Sequence, residues 1–161
     1  MKTTRLIRVN IVFAIFFCTV FILMFSSCKE LYPITKTAEG YTFEIDENQN
    51  ATLIKTDILA ETIEIPSEIS SYKVKKLSCV EKAALVGVSL TGVFEGNNVV
   101  KEIIIPEGVV ETYGPAIANC YNLEKITIPG TMTTFDVVRC DNLKEVNIVD
   151  GDTITESFSF S

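Results

Sequence analysis

Short stretches in which aliphatic and polar residues alternate recur along the second half of the chain. Three segments align with one another: VVKEIIIPEG from Val99, NLEKITIPGT from Asn122 and NLKEVNIVDG from Asn142. Their apolar residues follow an LxxLxL spacing, and TIEIP (62–66) repeats the end of that pattern. Because residues two apart on a strand point the same way, the last two apolar positions of each segment face one core. The pattern therefore predicts short strands that share a core.

The strands belong to a repeat of a little over twenty residues. A marker residue lies three positions before each LxxLxL run, at Asn97, Cys120 and Cys140, with spacings of 23 and 20. Proline follows three of the strands, at positions 66, 106 and 129, where its missing N–H ends the ladder. One such coil cannot bury its apolar row alone, whereas stacked coils can. We predict a β-rich solenoid of stacked parallel strands over residues 61–161.

Two strand-like runs precede the repeats. YTFEI (41–45) and ATLIKT (51–56) flank the polar segment DENQN (46–50), which predicts a β-hairpin. Asp46, Asn48, Asn50 and Asp57 also fit the spacing of a calcium-binding loop. Ala51 occupies the glycine position of that loop, however, and strands replace the flanking helices, so a turn is the better interpretation.

Two further segments depart from the repeat. CVEKAALVGVSLTG (79–92) interrupts the repeats and is interpreted as an insertion with a helical turn. The last residues, ITESFSFS, alternate as a strand does, which predicts a final capping strand or a truncated array. The 28–40 segment, with Pro33 and Gly40, has no sustained period and is predicted to be a tether that ends in a first strand.

Outward positions of the aligned strands carry alternating charge. Parallel stacking would place Lys101, Glu124 and Lys144 in one column, and Glu102, Lys125 and Glu145 in the next. Opposite charges on neighbouring strands stabilise the native register and disfavour slippage. We interpret this strip first as a solvated face. The partner-binding face that the geometry offers comprises Ile104, Thr127, Asn147, Glu102, Lys125 and Glu145.

The N-terminus has the pattern of an export signal. Lys2, Arg5 and Arg8 precede an apolar run at 11–25, which Ser26, Ser27 and Cys28 close. The run suits a signal-peptide core and is short for a bilayer-spanning helix. The segment resembles a bacterial lipoprotein signal peptide, although Phe25 stands where such a motif usually has Leu, Val or Ile. The resemblance implies cleavage after residue 27 and acylation of Cys28; the alternatives are an uncleaved anchor, and ordinary cleavage that leaves a free thiol.

Composition narrows the classes of function. The 161 residues include no histidine and no tryptophan. Without histidine the chain lacks the usual general base and the commonest metal ligand, so we expect no enzyme, no metal site and no cofactor. The formal net charge is −7, and the first 27 residues hold three of the 14 basic residues but none of the 21 acidic ones. Such an acidic domain repels nucleic acid.

Three cysteines remain after the N-terminal segment, at positions 79, 120 and 140. Cys120 and Cys140 could form a disulfide if adjacent coils bring their Cα atoms to about 4.4–6.8 Å. The alternative is that both are small buried side chains at equivalent positions of the repeat, and the repeat pattern favours this second interpretation.

The repeat sequences resemble a known family. GVFEGNNVVKEIIIPEGV, PAIANCYNLEKITIPGTM and VVRCDNLKEVNIV are similar to repeats of the BspA-like leucine-rich repeat proteins of bacterial surfaces, which read approximately AFxxCxxLxxIxIPxxVxxIGxx. The resemblance covers residues 41–149, with Asn97, Ile117 and Val137 as departures from the pattern. It implies a leucine-rich-repeat solenoid and an adhesin-type role toward host matrix proteins or other cells. No binding residue carries over, because the motif consists of scaffold positions.

The sequence therefore predicts a lipid-anchored, outer-membrane protein that faces the cell surface or the periplasm and binds a protein partner. We expect a signal peptide at 1–27, a lipidated tether at 28–40, a hairpin cap at 41–60 and the solenoid at 61–161. A structural or assembly subunit of the cell envelope is the alternative. Carbohydrate capture is weaker, since the chain has no tryptophan and only five tyrosines to stack on sugars.

Overall fold

The computed structural model describes residues 31–84, 87–149 and 157–160. The regular secondary structure in these ranges consists of β-strands. None of these ranges contains a helix. In chain order the strands are β1 (Ile34–Ala38), β2 (Tyr41–Ile45), β3 (Asn50–Thr56), β4 (Thr62–Glu64), β5 (Glu68–Ile69), β6 (Tyr72–Ser78), β7 (Val80–Ala84), β8 (Gly87–Thr91), β9 (Glu102–Ile104), β10 (Glu111–Tyr113), β11 (Ile117–Ala118), β12 (Lys125–Pro129), β13 (Thr134–Val138), β14 (Glu145–Val149) and β15 (Ser157–Phe160).

Two stacks of parallel strands alternate along the chain, as the repeat predicts. The first, here called the repeat sheet, has the order β14–β12–β9–β4, and every neighbouring pair is parallel. The second, the large sheet, contains the parallel series β3–β6–β10–β13–β15. Each coil contributes one strand to each sheet before the next coil stacks on it. The predicted β-solenoid of stacked parallel strands is confirmed.

The core lies between the two sheets and is filled by the repeated aliphatic residues. The register aligns Ile103 of β9 with Ile126 of β12, and Ile126 with Val146 of β14. Ile103 and Ile126 are fully buried, and Phe94 and Phe135 fill the core from the returning side of the coils. Burying one such side chain contributes about 1.5–3 kcal/mol. Because each row lies against the next, neighbouring coils depend on one another for this stabilisation.

The marker positions join one coil to the next. The Asn97 side chain accepts hydrogen bonds from the N–H groups of Val99 and Val100, both at 3.1 Å, and donates to the Ile58 carbonyl at 3.0 Å. The Cys120 thiol, at the same position one coil later, donates to the Phe94 carbonyl at 3.1 Å. The Asn97 amide and the Cys120 thiol therefore both form hydrogen bonds with backbone groups at a buried turn.

The cysteines are not bridged. Cys79, Cys120 and Cys140 are free, the first two buried and the third half-buried. Interaction with the Cys140 thiol, together with burial, raises the pKa of Cys120, whereas interaction with the Cys120 thiol lowers the pKa of Cys140. Of the two interpretations of the pair, the structure agrees with unbridged small side chains at equivalent repeat positions, although only Cys120 is fully buried.

An antiparallel hairpin begins the solenoid, and it confirms the hairpin prediction. β2 pairs with β3, and β1 adds a further antiparallel strand that starts inside the predicted tether. Between β2 and β3, Asp46 accepts hydrogen bonds from the backbone N–H groups of Asn48 and Asn50 at 2.9 and 2.8 Å, so its carboxylate builds the turn. Burial acts to raise the pKa of Asp46, but hydrogen bonds from Asn50 and Asn48 outweigh it and lower that pKa.

The insertion at 79–92 is a second hairpin, and the predicted helical turn is wrong. β7 and β8 pair antiparallel and form a two-stranded sheet of their own. Gly87 has a φ of +96°, a conformation that glycine adopts without steric cost and that suits a tight turn. The following residues, VSLT, alternate apolar and polar side chains and include two β-branched residues, which favours a strand over a helix.

Within 31–84, 87–149 and 157–160, no helix is long and apolar enough to cross a membrane. The predicted signal segment and Cys28 lie outside these ranges, as does the start of the predicted tether.

Candidate functional site

The six residues predicted to form a partner-binding face lie together on the outer side of the repeat sheet. The register aligns Glu102 with Lys125 and Lys125 with Glu145, which forms one row across β9, β12 and β14. A second row, two residues further along each strand, aligns Ile104 with Thr127 and Thr127 with Asn147. These six residues are called the exposed face below. Glu145 is exposed and the other five are half-buried.

The charged row of the exposed face is paired internally. The Lys125 ammonium lies 3.2 Å from the Glu102 carboxylate and 3.8 Å from that of Glu145. Such partly exposed pairs contribute about 0.2–1 kcal/mol each. A slip of the strands by one residue would bring like charges together, so the row also specifies register.

A neighbouring column extends the charge pattern. Lys144 lies 3.0 Å from Glu124, and Lys101 lies 2.8 Å from Glu61. The hydrogen bond from Lys101 to Glu61, together with the charge of that carboxylate, raises the pKa of the lysine. Alternation therefore continues across four coils, at the residue that precedes each strand of the repeat sheet, in the order Glu61, Lys101, Glu124 and Lys144.

Strand β4 extends the exposed face, which the sequence analysis missed. Thr62 aligns with Glu102, and Glu64 aligns with Ile104, so both rows gain one residue. The signal was present in the sequence, because TIEIP already matched the end of the repeat. Position 64 places a carboxylate beside the half-buried Ile104.

The uncharged row presents mixed chemistry. Ile104 offers a partly exposed aliphatic surface, Thr127 a hydroxyl, and Asn147 an amide whose nitrogen donates to Glu145 Oε1 at 2.8 Å. Rigid strands hold all three side chains at fixed spacings of one strand separation. An arrangement of this kind binds by surface contact and offers no enclosed pocket for a small substrate.

The outer side of the large sheet carries a separate group. Lys76 of β6 forms an ion pair with Glu111 of β10, and Tyr113 nearby is 65% exposed. The register that aligns Lys76 with Glu111 also aligns Ser78 with Tyr113. Sequence analysis did not single out these residues, since β10 lies outside the LxxLxL segments.

Within the part of the chain that the structure describes, no three His, Cys, Asp or Glu side chains are grouped to hold a metal ion. The four residues that fit the calcium spacing illustrate the reason. Asp46 is committed to the turn, and Asp57 pairs with Lys55 at 2.5 Å. The two carboxylates of that pattern therefore make separate contacts, one in the turn and one with a lysine.

Solved structures of bacterial leucine-rich repeat proteins share this fold. A leucine rich cell surface protein of Faecalibacterium prausnitzii is 21% identical, with a TM-score of 0.55 over 74% of this chain and 33% of that one. The T. pallidum leucine-rich repeat protein is 14% identical, with a TM-score of 0.56 over 70% of this chain and 49% of the other. This chain thus matches about one third and one half of their lengths. The likeness establishes a leucine-rich-repeat fold.

No protein-family model matches the chain, and no curated protein sequence matches it. Evidence for the fold therefore comes from the strand register, the buried rows and the two similar structures.

Proposed function

We propose that this chain is a lipid-anchored cell-surface protein of the BspA-like type, and that its exposed face binds a protein partner. The observation that carries the proposal is the alignment of two outward rows, one charged and one mixed, across consecutive parallel strands. Three further features support it: the lipoprotein-like N-terminus, the similarity to a bacterial cell surface protein, and the lack of histidine. The proposed activity is binding, without catalysis or a cofactor.

A protein surface is the partner that this geometry favours. The exposed face is open and offers an aliphatic side chain, a hydroxyl and an amide beside one charged row, which matches the mixed composition of protein–protein interfaces. Host matrix proteins and cell-surface proteins are the partner class that the family resemblance adds. The domain's negative charge disfavours nucleic acid.

Binding can be tested with the double variant Ile104→Lys/Thr127→Lys against a panel of purified extracellular-matrix proteins and intact host cells. Two added lysines would disrupt the mixed row while leaving the buried side of β9 and β12 unchanged. A matched control places lysines at Thr52 and Tyr113, which lie on the outer side of the large sheet. We expect binding to fall at least about tenfold in the first variant only. Equal binding by both variants would exclude the exposed face.

Anchoring has its own experiment. Mass spectrometry of the mature protein should find an acylated Cys28 at the N-terminus, and Cys28→Ser should abolish that modification and release the protein from the membrane fraction. An intact Met1 would instead indicate an uncleaved anchor. Labelling of intact cells with a membrane-impermeant reagent would then show which side the domain faces.

One observation favours the alternative, a structural subunit within the cell envelope. Lys125, the only lysine of the exposed face, is already paired with two carboxylates, which lowers the attraction of that face for an acidic partner. Protection of the anchored protein from protease added to intact cells would support this alternative over surface display.

A further inference from the structure

Two thiols lie at the same position of neighbouring coils. Cys120 is in the turn between β11 and β12, and Cys140 is in the turn between β13 and β14. The last aligned pair before these turns is Ala118 with Val138, two residues upstream of each cysteine. The first aligned pair of β12 with β14 follows five residues downstream of each cysteine. The two turns therefore have equal length and are held in register at both ends.

The backbone of the first turn is reproduced in the second. The residue before each cysteine has a left-handed backbone, with a φ of +55° at Asn119 and +52° at Arg139. In both turns the cysteine carbonyl accepts the N–H group of the leucine three residues further along, Leu123 at 3.1 Å and Leu143 at 3.0 Å. Equivalent turns in parallel register are separated by the distance between neighbouring strands, about 4.8 Å. This separation lies within the range of about 4.4–6.8 Å that a disulfide requires between Cα atoms.

The fold does not depend on the hydrogen atoms of the two thiols. Cys120 Sγ donates to the carbonyls of Phe94 and Ala118 at 3.1 and 3.5 Å. Cys140 Sγ donates to the carbonyl of Val138 at 3.6 Å. Each of these three carbonyls also accepts a backbone N–H group, at distances of 3.0, 3.4 and 3.0 Å respectively. Loss of the S–H groups would therefore leave no carbonyl without a partner, which avoids the cost of a buried unsatisfied group.

The two thiols differ in access and in acidity. Cys120 is fully buried, whereas Cys140 is half-buried and lines a groove beside Val137 and Leu143. Interaction with the Cys120 thiol lowers the pKa of Cys140, so a larger fraction of Cys140 is the thiolate that attacks disulfides. Interaction with Cys140 and burial raise the pKa of Cys120. Cys140 is therefore the thiol that reacts first.

We propose that Cys120 and Cys140 form a modification site, at which an external disulfide compound oxidises the pair to a disulfide that clamps the coil of β14 onto the coil of β12. The oxidant is a small-molecule disulfide or the active-site disulfide of a thiol oxidoreductase. Closing the chain between two coils restricts the unfolded state and so stabilises the end of the array. An exported protein meets such oxidants in its compartment. The site is separate from the exposed face and does not require that face to bind a partner.

The reaction consists of two thiol–disulfide exchanges. The Cys140 thiolate attacks one sulfur of the donor, whose S–S bond breaks and releases one donor thiolate. Cys120 then loses its proton to solvent and attacks the Cys140 sulfur of this mixed disulfide, which releases the second donor thiolate. In total, two protons and two electrons leave the pair: the donor becomes two thiols, and the pair becomes one disulfide.

The proposal can be tested with the full mature protein, which is reduced, freed of reductant and incubated with oxidised glutathione. Trypsin separates the two cysteines into peptides 102–125 and 140–144, and mass spectrometry without reductant should find these peptides linked. The bridge should raise the urea midpoint of unfolding by about 1–2 M, and dithiothreitol should reverse the shift. Cys79→Ala removes the third cysteine of the described residues and is the matched control, which should keep both the linkage and the shift.

Single-cysteine variants test the order of reaction. Cys120→Ser should stop at a glutathione adduct on Cys140, whereas Cys140→Ser should leave Cys120 unmodified because that thiol is fully buried. Circular dichroism verifies that both variants fold, and the digest of the wild type tests the pair without them. Absence of linked peptides, linkage through Cys79, or linkage that forms only in urea would overturn the proposal. A linked pair with an unchanged urea midpoint would overturn the clamping of the last coil.

Discussion

The first and the last described coils of the solenoid differ in how well their apolar side chains are covered. At the N-terminal end, the antiparallel hairpin covers the first coil, and Tyr41, Phe43 and Ile45 are buried at 3%, 0% and 2% exposure. At the C-terminal end, Ile148 retains 42% exposure although it occupies the same repeat position as a fully buried residue. The same position of the repeat therefore contributes differently to stability in different coils, because its burial depends on whether a neighbouring coil covers it.

The largest effect should come from opening the covered end. Phe43→Ala removes a fully buried aromatic side chain that also packs against Tyr72, with ring centroids 6.1 Å apart. We expect a loss of about 3–5 kcal/mol in the free energy of unfolding, measured by urea denaturation. Phe43→Leu is the matched control and should cost about 1–2 kcal/mol. A loss below about 1 kcal/mol for the alanine variant would show that the hairpin does not seal the core.

Equivalent alanine substitutions in two coils provide the most direct comparison. Ile128→Ala should destabilise the protein by about 2–5 kcal/mol because it leaves a cavity in a closed core. Ile148→Ala, at the same repeat position on the open edge, should cost about 1 kcal/mol or less. Urea denaturation of both variants measures the difference, and equal losses would mean that the C-terminal edge is covered in solution.

The marker position offers an intermediate effect inside the stack. Asn97→Ala leaves the N–H groups of Val99 and Val100 and the carbonyl of Ile58 without their side-chain partner. Unsatisfied buried groups cost about 1–3 kcal/mol, so we expect a loss in that range by thermal or urea unfolding. Asn97→Cys restores the residue type found at positions 120 and 140 and should recover part of the loss. If both variants were equally stable, the hydrogen bonds at this turn would contribute nothing specific.

The smallest effect concerns the charged row on the outer side. Lys125→Glu places a third carboxylate between those of Glu102 and Glu145, which replaces two attractive pairs by two repulsive ones. We expect a loss of about 0.5–1 kcal/mol at low salt. The loss should shrink in 1 M NaCl, where the screening length is about 3 Å. Lys125→Met, which keeps the aliphatic stem and removes the charge, should fall between the wild type and the glutamate variant; a salt-independent loss would point to packing instead.

Much of the fold could be predicted from the sequence because the repeat is a local pattern. Alternation in KITIP indicates which side chains of β12 face inward, and alignment with the neighbouring segments indicates the register, including Lys125 between Glu102 and Glu145. The same reasoning placed the hairpin at Tyr41–Ile45 and located the exposed face. The binding role of that face stays a prediction.

Other features depended on contacts that a local pattern does not contain. The segment VEKAALVGVSLT has composition compatible with a helical turn, yet its two halves pair as strands β7 and β8. β1 forms in a stretch without sustained period because β2 offers it an edge to pair with. In both cases pairing between segments outweighs local propensity.

The sequence by itself determined the period of the solenoid, the inward residues of its strands and the alternating charges outside, since each follows from side-chain direction along a strand. Only the tertiary structure decided which coils are covered, how the Asn97, Cys120 and Cys140 turns are satisfied, and where the edge of β14 lies open. Burial depends on what packs against a residue from a distant part of the chain, and that information is absent from any single repeat.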